Sequence, residues 1–346
     1  MMDGQVGLRY PWDVPPEEGE AIEVAEGVFW LRFPLPMALD HVNIYALDEG
    51  DGWTVIDTGF DSRRSRAIWE KVLAGPLGGK PVTRLIVTHH HPDHVGLAGW
   101  FQERGAELWM TRTAWLMARM LQLDTQDMPT PEMLDFWRKA GMRPDIYEQR
   151  ANQRPFNFSD VVHPLPLGFR RMHQGEVIRI GGRDWDMHVG HGHAPAHATF
   201  WSRDDNLVIA GDQILSTISS NIGVHATEPE ADPVGEWLES CERLATLAHE
   251  GHLVLGGHKL PFTGLPFRMR QLIDNHHHAL DRLEAYLDTP KSAAECFAPL
   301  FKREIDGDVY GMAMVESVAH LVHLHQHGRV TRSLREDGAY VYQQIG

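Results

Sequence analysis

The stretch Thr88-His89-His90-His91-Pro92-Asp93-His94 puts four metal-binding side chains, His89, His91, Asp93 and His94, within six residues of one another. It directly follows the apolar run Leu85-Ile86-Val87. Imidazole and carboxylate suit zinc, iron or manganese, and catalytic sites use few protein ligands so that water keeps a position. Four candidates this close crowd a single ion. They serve two adjacent ions if the loop presents alternate side chains to opposite sides. His89 and His91 would then face one metal, and Asp93 and His94 the other. His90 is left pointing elsewhere, because a shift of one residue in register would strand Asp93 and His94.

The pattern His89-x-His91-x-Asp93-His94 after an apolar strand resembles the signature of the metallo-β-lactamase superfamily. Four further landmarks occur in the expected order. Ile56-Asp57-Thr58-Gly59 resembles the strand-end Asp-x-Gly motif, whose Asp buttresses the metal loop. Gly192-His193-Ala194-Pro195-Ala196-His197 is similar to the Gly-His-x-x-x-His motif. Ala210-Gly211-Asp212 resembles the Gly-Asp motif that carries a bridging carboxylate, and Leu255-Gly256-Gly257-His258 the final Gly-His ligand motif. The resemblance covers roughly residues 22–260 and implies a four-layer αββα sandwich. It assigns His89, His91 and His193 to a first metal and Asp93, His94 and His258 to a second, with Asp212 and a hydroxide between them. Zinc is the first expectation for both ions, with iron or manganese as alternatives. The third motif departs from the usual form, since His191 stands where proline is common. His188, His191 and His197 therefore rival His193, and His197 fits a supporting role.

Two cations about 3.5–4 Å apart lower the pKa of a shared water towards 7 and polarise the bond under attack. No Ser or Cys nucleophile is then needed. Asp93 has a second expected role, catalytic rather than ligating: to accept a hydrogen bond from the hydroxide and aim it.

The elements that must hold these residues read as an α/β core. Apolar runs at 28–31, 41–47 and 53–56, with a Gly/Asp cluster between the last two, predict short strands and a hairpin. Helical spacing follows at 63–73, then a buried strand at 85–87, a helix at 97–104 and a strand at 107–110. Residues 113–150 differ, with Met- and Trp-containing helices near 115–121 and 133–140 separated by Pro129 and Pro131. They form either an ordinary helical hairpin on the core or a wall over the metal site suited to apolar substrates. Strands resume at 176–180, 185–189, 198–201, 207–209 and 253–255. The Gly/Pro-containing segment 262–267 marks an expected boundary, giving domains 1–265 and 266–346. The second, with helices at 269–287, 292–300 and 312–325 and a hairpin at 330–343, follows a winged-helix order.

Composition narrows the function. The chain has 346 residues, 42% apolar and 23% charged, with a net charge of −16. That balance argues against overall attraction to nucleic acid or an anionic membrane, leaving only a local basic groove open. The start of the chain lacks a signal-peptide layout, no apolar run is long enough to span a bilayer, and two cysteines imply no disulfide framework. A cytoplasmic protein is expected. Histidine is abundant, 22 in all. Seven of these, His276 to His278 and His320, His323, His325 and His327, read as helix-surface or helix-end residues that complement a dipole.

Within the resembled family, Asp212 points away from the antibiotic-cleaving lactamases of the best-known subclasses, which lack this carboxylate and use Cys at the corresponding position; neither Cys241 nor Cys296 lies near a motif. Flavodiiron proteins carry Glu where His91 stands. What remains resembles glyoxalase II-like thioesterases, lactonases and esterases acting on small molecules. The alternatives are a single-stranded RNA nuclease or phosphodiesterase, and a metabolite-sensing regulator whose winged helix binds DNA. Residues 268–346 carry nine Arg/Lys against eleven Asp/Glu, which favours a structural cap or homodimerisation element over a nucleic-acid surface.

Overall fold

The computed structural model describes residues 7–345, apart from the side chain of Asp308. The chain packs into two compact units. The first comprises residues up to Thr125, Asn157–Ser220 and Leu247–Met269. The second comprises Gln126–Phe156, Asn221–Thr246 and the chain from Arg270 onward. The division thus runs after Met269, and 126–156 and 221–246 join the C-terminal residues.

The first unit is a sandwich of two sheets. Strands β1 (Ile22–Ala25), β2 (Val28–Pro34), β3 (His41–Asp48), β4 (Trp53–Ile56), β5 (Val82–Ile86), β6 (Glu107–Thr111) and β7 (Arg170–Met172) form a seven-stranded sheet in that order. The strands from β4 onward pair parallel. Strands β8 (Val177–Ile180), β9 (Arg183–Gly190), β10 (His197–Ser202), β11 (Leu207–Gly211) and β12 (Leu253–Gly256) form the second sheet, with β11 and β12 parallel. Period-two alternation sorts side chains between two cores. From the large sheet Trp30, Tyr45, Leu47, Ile56 and Ile86 face Ile180, Trp185, Met187, Phe200 and Leu255 of the small one. Leu31, Phe33, Ile44, Val55 and Leu85 point the other way. They meet the helices α1 (Arg63–Ala74), α3 (Ala98–Gln102) and α4 (Arg112–Leu123). A further short helix, α2 (Pro92–Val95), lies in the metal-motif loop. The α/β sandwich expected from the sequence is present.

One packing detail bears directly on the site. Trp69 on α1 is fully buried, stacked against Phe33 and edge-on to Phe101 at centroid distances of 4.9 and 4.8 Å. Its indole N–H donates to the carbonyl of Thr58 at 2.8 Å. An apolar helix face thereby fixes the loop that carries Asp57.

The second unit is helical: α5 (Pro131–Lys139), α6 (Pro144–Ala151), α7 (Pro233–Ala245), the larger part of α8 (Leu265–Tyr286), α9 (Phe297–Phe301) and α10 (Tyr310–Gln326), with the hairpin β13 (Val330–Leu334) and β14 (Tyr340–Gln344). The expected C-terminal order of helices and hairpin holds, but α8 begins before the anticipated boundary, right after Gly264 at φ +93°. Among the described residues no helix is long and apolar enough to cross a membrane.

His276 in this unit illustrates the cost of burying an imidazole. It is 4% exposed, stacks on His320 at 5.6 Å, and neither ring nitrogen has a hydrogen-bond partner among the described residues. Burial, aided by His320 and His277, pushes its pKa from 6.5 down to about 3. The unfolded chain takes up a proton that the folded chain refuses, so stability is intact above pH 6.5 and is lost as pH falls towards 3. His276→Leu should therefore gain about 2 kcal/mol on the wild type between pH 8 and pH 5. Denaturant titrations at the two pH values check this; identical pH slopes for both proteins would refute it.

Candidate metal centre

All seven residues singled out as ligands lie at one end of the first unit. Asp57 follows β4, the His89–His94 loop follows β5, Asp212 follows β11 and His258 follows β12, each beyond the C-terminal end of a strand in a parallel pair. His193 sits on the β9–β10 connection. That connection is tied to the large sheet by Ala198 N–H donating to Thr88 O (2.8 Å) and Thr111 Oγ1 to Ala196 O (2.7 Å). Among the described residues, three of the four non-glycine residues at positive φ are here too: Asp57 (65°), Ala196 (54°) and Lys259 (66°). Such conformations cost of order 1–3 kcal/mol each and persist where the surroundings over-determine them.

The donor atoms converge in two groups. His89, His91 and His193 form one, and Asp93, His94 and His258 another, with all ligand atoms of each group within 4.8 Å of one another. In the first group His89 Nε2 lies 3.0 Å from His91 Nδ1 and 3.3 Å from His193 Nε2. In the second, Asp93 Oδ2 lies 3.5 Å from His94 Nε2 and 3.4 Å from His258 Nε2. Asp212 stands between them. Its Oδ2 is 3.4 Å from His94 Nε2, 3.5 Å from His193 Nε2 and 3.1 Å from His258 Nε2.

Three of the rings, His89, His94 and His258, are aimed by their other nitrogen. His94 Nδ1 donates to Asp57 Oδ2 at 2.8 Å, and His258 Nδ1 to the carbonyl of His41 at 2.7 Å. Thr88 Oγ1 donates to Asp57 Oδ2 (2.8 Å), leaving it free to accept from His89 Nδ1 at 2.9 Å. Asp57 thus orients one imidazole directly and a second through Thr88. Second-layer contacts of this kind set tautomer and basicity.

The electrostatics divide the histidines. Burial, with the neighbouring imidazoles His94 and His197, holds His89 well below its ordinary range. Burial, with His193 and His90, does the same for His91. Both are neutral and offer a lone pair. Burial would also lower His94, but the carboxylates of Asp212, Asp93 and Asp57 raise it well above 6.5. Burial again opposes, and Asp212 and Asp93 again prevail, at His258, which is lifted to about 10. Burial would raise Asp212, yet His258 and His94 pull it well below the usual carboxylate range.

A metal fits these residues. Imidazole nitrogens face each other at 3.0–3.3 Å, an arrangement satisfied by a shared cation. His94 Nε2 and Asp212 Oδ1 are buried without a hydrogen-bond partner among the described residues, although such groups are normally satisfied. The backbone approaches the donor side chains closely at two glycines. A Cβ on Gly257 would sit 2.2 Å from Asp212 Oδ1 and 2.8 Å from His94 Cε1, and one on Gly211, at φ +48°, would sit 2.6 Å from His197 Cε1. Gly257→Ala should therefore displace the Asp212 carboxylate and lower bound metal at least tenfold, on the order of a lost supporting contact. Metal analysis after dialysis checks it, and full retention would contradict it.

The rival ligands separate cleanly. His197 Nε2 accepts from the Asp212 amide at 3.0 Å, so its lone pair is committed to positioning that residue. His191 Nδ1 accepts from Ala196 N–H at 3.3 Å, and His188 Nδ1 is 3.2 Å from Gln174 Nε2 on the β9 side. Of the four, His193 alone joins a ligand group.

Several supporting residues went unread in the sequence. The Nε2 of His41 accepts from Lys259 N–H at 2.8 Å, while Asn43 Nδ2 donates to Gly256 O and Lys259 O at 2.9 and 2.7 Å. Tyr45 Oη donates to Gly256 O at 2.8 Å, and Ser220 Oγ donates to the carbonyl of Asp212. These partners lie up to 218 residues apart in the chain, so no local spacing announces them.

Comparison with known proteins agrees with this geometry. Residues 37–258 match the family model of the metallo-beta-lactamase superfamily, and the chain belongs to that superfamily. Residues 280–345 match the metallo-beta-lactamase-like C-terminal domain. The chain is 24% identical over 303 residues to the probable metallo-hydrolase YqjP of Bacillus subtilis, covering 86% of this chain and 91% of that protein. A beta-lactamase domain protein from Burkholderia ambifaria superposes with a TM-score of 0.87 at 35% identity, over 98% of this chain and 97% of the other. A metallo-beta-lactamase family protein from Thermus thermophilus superposes at 0.77 with 28% identity, over 93% and 100%. Superfamily membership and the His/Asp cluster together make the chain a metallo-hydrolase with candidate divalent-metal ligands.

Proposed function

We propose that the protein is a binuclear hydrolase of small thioesters, esters or lactones. His89, His91 and His193 hold one divalent cation, Asp93, His94 and His258 a second, and Asp212 lies between. The observation that carries this reading is the position of Asp212 Oδ2, 3.1–3.5 Å from imidazole nitrogens of both groups. Zinc suits the mixed imidazole and carboxylate donors, with iron or manganese as alternatives. Bound there, the cations supply an ionised water near neutral pH and polarise the carbonyl under attack. Asp93 accepts a hydrogen bond from the attacking water and aims it. Asp57, through His94 and Thr88, keeps the donor atoms pointed inward. No thiol takes part: both cysteines are buried in the second unit, and burial pushes the Cys296 thiol up to about 12.

A small acyl substrate is favoured over RNA or DNA by the charges of the C-terminal hairpin. Arg329 pairs with Glu284 and Asp281, Arg332 with Glu230, and Arg335 with Asp337 and Glu295. Arginines neutralised by neighbouring carboxylates make a poor phosphate-binding face, which also argues for a structural cap in place of a DNA-binding winged helix.

The test is turnover of the zinc- and manganese-loaded protein, side by side, on an acyl thioester, a lactone and a single-stranded RNA. Thioester or lactone cleavage absent from Asp212→Ala supports the proposal. RNA cleavage with both small substrates untouched overturns the substrate class.

A further inference from the structure

The second unit carries its own cluster of metal-binding atoms. Asp232 caps the N-terminus of α7, its Oδ1 accepting from Gly235 N–H at 2.9 Å. At the C-terminal end of α10, where His323 lies in the last turn and His327 is the C-cap, His323 Nδ1 lies 2.9 Å from Asp232 Oδ1 and 3.1 Å from Oδ2, and His327 Nε2 lies 3.2 Å from Oδ2. The two rings are four residues apart on one helix face, with centroids 4.3 Å apart. Spacing of i and i+4 is what lets two histidines grip one ion from a helix. The three ligand atoms lie within 4.8 Å of one another. His323 and Asp232 are 10% and 20% exposed as side chains, whereas His327 is 56% exposed. The cluster therefore has a fixed base and one open side.

We propose that Asp232, His323 and His327 form a separate binding site for a single borderline divalent transition ion, zinc in the first instance. Two imidazoles and one carboxylate suit zinc, iron, nickel or copper. Ligand distances of about 2.0–2.2 Å are reached from the present positions with only small side-chain adjustments. An ion bound there clips the end of α10 to the start of α7. The open side leaves coordination positions for water, so the site is structural or regulatory in character and independent of the reaction at the first unit.

The same contacts could instead be a plain hydrogen-bonded clamp in which both rings donate to Asp232. Zinc stoichiometry separates the two. Full-length protein stripped with chelator is titrated with Zn2+ against a chromophoric competitor, as wild type, His327→Ala and His323→Gln. Each is also made in an Asp212→Ala background. The site predicts that both variants bind one equivalent fewer than their parent in either background, with turnover of the single variants unchanged. His327 is half exposed, so its loss leaves the fold intact, and circular dichroism checks this for both variants. Equal stoichiometry in parent and variants would leave only the clamp and overturn the proposal. Because the reading is a difference that persists without Asp212, it stands or falls separately from the hydrolase reading.

Discussion

Alanine in place of Asp212 is expected to lower kcat by roughly 10³-fold or more, equivalent to about 4 kcal/mol of lost transition-state stabilisation. The reason is positional. Asp212 Oδ2 lies within 3.5 Å of imidazole nitrogens from both ligand groups, so its loss affects both groups together. The residue sits in a loop beyond β11, and its backbone is held independently by His197 and Ser220. The variant should therefore fold. Unchanged circular dichroism with collapsed turnover and reduced bound metal is the expected pattern. Asp212→Asn refines it, since the amide keeps the shape but removes the negative charge that faces three imidazoles. Near-normal kcat in a fully metallated Asp212→Ala variant would remove the residue from the account.

The second large effect is expected one layer out, at Asp57. Asparagine there retains the size and tolerates the residue's φ of +65°, a region where Asn is comfortable. What changes is the hydrogen bonding. Asp57 accepts from Thr88 N–H, Thr88 Oγ1 and His94 Nδ1. An asparagine amide can satisfy the Thr88 amide but turns an N–H towards either Thr88 Oγ1 or His94 Nδ1. Facing His94, it forces the ring proton onto Nε2, the atom aimed at Asp212. Metal affinity should then fall 10–100-fold, the usual cost of a lost supporting carboxylate. The thermal midpoint should move much less than for Asp57→Ala, which strands buried donors and costs about 3–5 kcal/mol. Competition titration of zinc reads the affinity. An Asn variant with wild-type affinity would show that Asp57 is structural only.

Much of the centre was legible because metal chemistry constrains residue type and spacing within a single loop. His89, His91, Asp93 and His94 follow a strand that periodicity exposes, and the structure brings all seven expected ligands to one end of the sandwich. The strands of both sheets were legible for the same reason, since alternating apolar runs bury two faces. Weakly patterned pieces were missed. The strand Arg170–Met172 is three residues with two exposed arginines, and the helix Pro144–Ala151 buries no residue. Contacts across long sequence separations were also missed. His41 supports His258 from 217 residues away, and Asp232 turns two apparently ordinary helix-end histidines into a cluster from 91 and 95 residues away. Nothing in the local pattern around Asp232, His323 or His327 signals that meeting. Likewise the packing division after Met269 falls inside a continuous helix, a few residues beyond the Gly264/Pro266 segment that marks the boundary in the sequence.

The central claim is that two ions share Asp212, and anomalous diffraction from crystals of the zinc-loaded protein at the zinc edge tests it most directly. Two peaks about 3.5–4 Å apart, one among His89, His91 and His193 and one among Asp93, His94 and His258, with the Asp212 carboxylate between them, are the predicted result. A single peak at full zinc occupancy, or two peaks with Asp212 turned away from both, would contradict it.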